Sequence, residues 1–187
     1  MNPQKSIRAA CILFVAMLFI TYVQAADLTI FVGGVKPGSI DYNSLKTPLD
    51  SSPVYGARFA GNIVPQLGIE HTLAFSADFL FPSSIADIKE AKGIVYNSNL
   101  IITIPLKRFS AVPYLTAGIG FMHQYGDADM PIGTSFAFNY GGGLKFPHMA
   151  GPLGLRFDVR GYRVGLISNQ LNMVEFSGGL LFSFGGK

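Results

Sequence analysis

The chain has 187 residues, of which 13% are charged and 49% apolar, with 16 Phe and 8 Tyr. The charged share is well under the roughly 25% of soluble domains, and so many aromatics are foreign to a disordered chain. The net charge of +3 comes from scattered Lys and Arg without a basic run, which argues against a nucleic-acid binder, and one cysteine rules out an intrachain disulfide framework or a cysteine-based zinc site.

Residues 1–25 read as a secretory signal peptide. Lys5 and Arg8 give a positive start, and Ala9 to Ile20 is an apolar run too short to span a bilayer comfortably. Val23-Gln24-Ala25 places cleavage after Ala25; an uncleaved anchor is the alternative. Cleavage removes Cys11 and leaves a near-neutral, cysteine-free chain over 26–187, as suits a bacterial envelope.

No later apolar run is long enough for a membrane helix. Period-two alternation recurs instead, which is the mark of strands with two unlike faces. The first strand, 28–35, is the least regular, because Phe31 interrupts the expected inward polarity that Thr29 begins. Strand 54–64 sets Tyr55, Ala57, Phe59 and Ile63 against Gly56, Arg58, Ala60 and Asn62, and 68–80 sets Ile69, His71, Leu73 and Phe75 against Glu70, Thr72, Ser76 and Asp78. Strand 93–106 opposes Ile94, Tyr96 and Leu100 to Asn97 and Asn99; 112–123 opposes Leu115, Ile119 and Phe121 to Tyr114, Thr116 and two glycines. Strand 134–146 opposes Phe136, Phe138 and Tyr140 to Asn139, Gly141 and Lys145; 153–163 opposes Phe157 and Val159 to Arg156, Asp158 and Arg160. The last strand, 173–184, opposes Phe176, Leu180 and Phe182 to Glu175, Ser177 and Ser183.

Eight such strands are joined by alternately long and short connections: 36–53, 81–92 and 124–133 are long, whereas 65–66, 107–111 and 147–152 are short, and 165–172 is intermediate. The pattern predicts an all-β, eight-stranded antiparallel up-and-down transmembrane β-barrel with long extracellular loops and short periplasmic turns. A soluble lipocalin-like barrel is the rival. Its interior would have to hold the bulky face, and eight strands enclose only enough room for a filling of side chains or one small ligand. The other face is mostly Gly, Ala, Ser, Thr and Asn, where a solvent-facing sheet would carry Lys and Glu. The bulky face is therefore expected outside, against lipid.

The inward set then carries Arg58, Lys145, Arg156 and Arg160 against Glu70, Asp78, Asp158 and Glu175. Buried charges must pair, so these eight residues are expected to form a charge-balanced polar network that fills the lumen. Arg163 and His123 lie near the outer rim on the bulky face, where they could meet lipopolysaccharide phosphates; a snorkelling rim residue is the alternative for Arg163.

The chain resembles the small Gram-negative outer-membrane β-barrels, of the OmpA-transmembrane-domain or OmpX type. The resemblance covers nearly all of the mature chain and rests on Pro113-Tyr-Leu-Thr-Ala-Gly-Ile-Gly-Phe121, Phe138-Asn-Tyr-Gly-Gly-Gly-Leu-Lys-Phe146 and Leu155-Arg-Phe-Asp-Val-Arg160. It implies residence in the bacterial outer membrane and insertion by the barrel assembly machinery, which reads an aromatic at the end of the last strand. Phe184 fits, although Gly185-Gly186-Lys187 follows it.

Chemical motifs are sparse. Lipid A deacylases are barrels of similar size that use a His and a Ser close together on an outward face; His71, His123 and His148 have Leu73, Tyr125 and Ala150 two residues on. Asp127 and Asp129 supply too few oxygens for calcium. Gly141 to Lys145 lacks the spacing of a phosphate loop, and Ser83 to Lys92 could form a short loop helix with Ser at its cap. No cofactor is implied. The expectation is a non-enzymatic barrel with a structural or surface-interaction role, with a narrow channel or porter and a lipid A-modifying enzyme as alternatives.

Overall fold

A computed structural model describes residues 26–42, 45–48, 50–77, 91–106, 110–126, 133–165 and 171–184. Residues 1–25, where a signal peptide is expected, and Asp78, Ser83, Asp127, Asp129 and 185–187 lie outside the described residues. The strands are β1 (Ala26–Pro37), β2 (Ser39–Tyr42), β3 (Leu45–Pro48), β4 (Ser52–Val64), β5 (Leu67–Ser76), β6 (Ala91–Thr103), β7 (Val112–Gly126), β8 (Thr134–Ala150), β9 (Leu153–Val164) and β10 (Leu171–Phe184). All but β2 and β3 close into one antiparallel barrel in the order β1-β10-β9-β8-β7-β6-β5-β4. Closure is made by β1, which pairs Ala26 with Phe184 on one side and with Gly61 on the other. No sheet edge is left in the barrel, so its ladder groups find partners within the sheet.

The alternation is realised residue by residue. On β5, Glu70, Thr72, Ala74 and Ser76 are buried while His71, Leu73 and Phe75 are exposed. The outer face is correspondingly apolar, with Val32, Leu100, Leu115, Tyr140, Phe157 and Phe176 each about half exposed or more.

Three local features depart from the sequence reading. The 36–53 connection contains a hairpin, β2 with β3, pairing Ser39 with Pro48 and Tyr42 with Leu45. Ala91 and Lys92, assigned to the end of a loop helix, instead start β6, because the alternation continues through them and Ala91 is fully buried. β8 runs on through the expected turn at 147–150 by means of a bulge: pairing with β9 slips between Phe146 and Ala150. His148 sits in that bulge at φ 56°, with Nδ1 3.1 Å from the Gly151 carbonyl oxygen. Two extra residues on one strand re-aim the chain in this way without ending the strand.

The interior is layered. At the end where β1, β7 and β9 finish, inward Val35, Val54, Val95, Met122, Val164, Leu171 and Met173 form an apolar cluster with Ala74 and Ala137. The ionic residues occupy the middle. The sequence reading gives the interior mostly to small and polar side chains; a narrow interior can be packed at one end like any protein core.

Candidate functional site

Strand periodicity puts Arg156, Asp158 and Arg160 on one face of β9, and closure of the sheet brings Arg58, Glu70 and Glu175 to them from β4, β5 and β10. Asp158 is the hub. Its carboxylate accepts from Arg156 Nε and Nη2, both at 3.0 Å, from Arg160 Nη2 at 2.8 Å and from Arg58 Nη1 at 3.2 Å. It also accepts the Tyr114 hydroxyl proton. Glu70 bridges the two β9 arginines, at 2.5 Å from Arg156 Nη1 and 2.6 Å from Arg160 Nη2. Glu175 accepts from Arg58, and from the Tyr162 and Ser177 hydroxyls at 2.7 Å each. Three cations thus meet three anions, with each carboxylate oxygen hydrogen-bonded, the condition under which burying charge is tolerated.

Two further inward residues shape the network. Phe31 faces the interior and carries the Arg58 guanidinium 3.6 Å from its ring centroid. The break it makes in inward polarity is thus a cation–π platform. Beside the network, the side-chain amides of Asn139 and Asn99 are 2.9 Å apart, and Asn99, with its oxygen turned to Arg160, accepts from Nη1 at 2.9 Å.

The eight residues expected from sequence do not all meet. Arg58, Glu70, Arg156, Asp158, Arg160 and Glu175 form the cluster, and Asp78 lies outside the described residues. Lys145 sits apart, toward the end where the termini of the barrel pair. There it bonds Asp27 at 2.7 Å, and Asp27 also accepts from Ser183 at 2.8 Å. Asp27 was missed because the expected first strand began one residue later; extending the alternation backwards from Thr29 would have found it. Tyr162 was missed because an inward tyrosine cannot be told from an outward one by polarity alone.

Arg58, Glu70, Arg156 and Arg160 are all 0% exposed, so no solvent-lined bore passes them. Glycines make this density attainable. A Cβ on Gly118 would lie 2.0 Å from Asn99 Oδ1 and 2.3 Å from the Ser98 carbonyl oxygen. Gly118→Ala is expected to destabilise by about 1–3 kcal/mol through overpacking; unchanged unfolding in urea would contradict this crowding.

The rim residues stand on the outer face and do not converge. His123 Nδ1 is 2.7 Å from Thr134 Oγ1, and its ring stacks on Tyr125 at 5.7 Å. Arg163 is exposed on β9. Their register partners on β8 are Thr134 and Phe138, which places them about 13 Å apart along the strand. Lys36 and Lys92 also point outward at this end, so with Arg163 three basic side chains stand around the rim, on β1, β6 and β9.

A His and a Ser do stand side by side across two strands, where spacing along one strand cannot reveal them. His71 on β5 is directly opposite Ser98 on β6, and both face outward. His71 Nδ1 lies 3.0 Å from Tyr96 Oη. No carboxylate joins them among the described residues.

No family model and no curated protein matches the chain. Solved structures do. Neisserial surface protein A superposes with a TM-score of 0.65 at 14% identity, over 86% of this chain and 99% of that one. The outer membrane protein OprG from Pseudomonas aeruginosa gives 0.65 at 12% identity, over 88% and 98%. The outer membrane enzyme PagL gives 0.50 at 16% identity, over 86% and 99%. Identities this low speak for architecture and leave activity open, since one fold hosts many functions. What the closed register and these superpositions establish together is that the chain has the fold of the small eight-stranded outer-membrane β-barrels, the OmpA and OmpX type its sequence resembles.

Proposed function

We infer that the mature chain is a non-enzymatic barrel of the bacterial outer membrane, exported behind a cleaved signal peptide and inserted by the barrel assembly machinery. Its work is structural or done at the cell surface by the segments that join the strands. The buried neutral network carries this reading: three arginines and three carboxylates pair with one another at the centre of the barrel. Such a centre braces the wall and blocks a bore. The apolar outer face fits lipid, and the basic side chains at the rim fit lipopolysaccharide phosphates.

The refolded protein in planar bilayers is expected to show no stable ohmic conductance, and lipid A incubated with it is expected to stay intact. Steady conductance from the monomer, or lost acyl chains, would overturn the reading. Arg163→Ala is expected to lower lipopolysaccharide affinity about fivefold, the worth of one basic residue near a charged membrane surface; equal binding would remove the rim from the account.

A further inference from the structure

Among the described residues, His71 and Ser98 are the polar, non-aromatic side chains in the middle of an otherwise apolar outer face. Along β6 the outward positions run from Lys92 at the rim through Ile94 and Tyr96 to Ser98, then Leu100 and Ile102. Ser98 therefore lies halfway down the band. His71 stands opposite it, with Leu73 and Phe75 above and Ile69 below on its own strand. Directly opposed residues of an antiparallel pair have Cβ atoms about 5 Å apart, so the two side chains form one patch. Tyr96 occupies His71 Nδ1 and stacks its ring at 6.2 Å. The remaining ring nitrogen of His71 and the Ser98 hydroxyl have no partner within the described chain.

This matters if the outer face meets lipid, and the argument rests on that reading. At mid-depth, hydrocarbon offers neither donor nor acceptor, and headgroups are out of reach. A polar side chain held there is stabilised only by protein, and such residues hydrogen-bond across membrane interfaces. We propose that the β5–β6 face is the interface with a second copy of this chain, joined by His71 and Ser98. Copies inserted in the same direction are related by a two-fold axis along the membrane normal, which brings equal depths together. A patch holding both donors and acceptors is then its own complement: His71 of each copy meets Ser98 of the other. Leu73 and Leu100, both exposed, frame the contact with aliphatic surface.

The test uses the full chain with Cys11→Ser, expressed into bacterial outer membranes, with Leu73→Cys as reporter and Phe157→Cys, on the far wall, as control. A short bismaleimide, which spans the diagonal between the two β5 strands where a direct disulfide could not, is expected to link two copies through residue 73 and not through residue 157. Adding His71→Leu and Ser98→Ala should cut the linked dimer by about tenfold, since two symmetric hydrogen bonds are lost. These changes make the outer face more apolar, so the barrel should still fold, and heat-dependent gel mobility checks that it does. A folded monomer without the cross-link, a cross-link indifferent to the double variant, or linkage to a different protein would overturn the proposal. So would lipid A deacylation abolished by Ser98→Ala. If the protein instead stays dissolved without detergent, the lipid-facing reading itself has failed, a result distinct from any of these.

Discussion

Replacing Asp158 with Ala is expected to cost about 3–5 kcal/mol of folding stability, the loss measured when one partner of a buried ion pair is removed. The geometry argues for the upper part of that range. Asp158 is 3% exposed and receives bonds from three arginines and the Tyr114 hydroxyl. Without it, Arg58, Arg156 and Arg160 share only Glu70 and Glu175, and all three arginines are shut off from bulk solvent. The Lys145–Asp27 pair provides the contrast. The Lys145 side chain is only 6% exposed, but its acid partner is 23% exposed and keeps bulk solvent within reach, so Lys145→Met should cost less, about 1–3 kcal/mol. Urea unfolding of the refolded protein in lipid vesicles, read by gel mobility, measures both. A double change of Asp158→Ala with Arg156→Met should lose less than the two single losses added, because the pair acts as a unit. Strict additivity would mean that the network is only a set of neighbours.

The sequence made the wall of the barrel legible because each strand repeats every second residue and a one-residue slip would reverse its faces. It also made the ionic interior legible, since Arg, Asp and Glu recur on the narrow-residue face. Partnership was not legible. Arg58 and Asp158 are 100 positions apart and meet only because β1 closes the sheet between β4 and β10. The apolar end of the interior escaped for a related reason: Val35, Val95 and Met122 sit at inward positions, but their type alone points outward. His71 and Ser98 were hidden in the same way, because their adjacency is set by the β5–β6 register and not by distance along one strand. The β8 bulge could not be read either, since His148 takes a left-handed conformation that polarity does not encode.

Phe157→Arg decides which medium the outer face meets. Phe157 is 52% exposed on β9, edge-on to Phe146 at 6.3 Å and opposite Gly178 on β10. In a barrel bathed by water, an arginine there would be an ordinary surface substitution, within about 0.5 kcal/mol of neutral. In lipid the same side chain must be desolvated or drag water and headgroups inward, at about 2–4 kcal/mol near the midplane. The two media therefore differ by several-fold in the predicted effect of one variant. Lys36, outward at the rim, supplies the internal standard: Lys36→Ala removes a charge where headgroups and water are within reach, so its effect should stay small in either medium. A large loss at 157 with little change at 36 locates the hydrocarbon on the aromatic band. A small loss at both would return the bulky face to water, and with it would go the lipid contact, the phosphate contact at the rim and the pairing through His71.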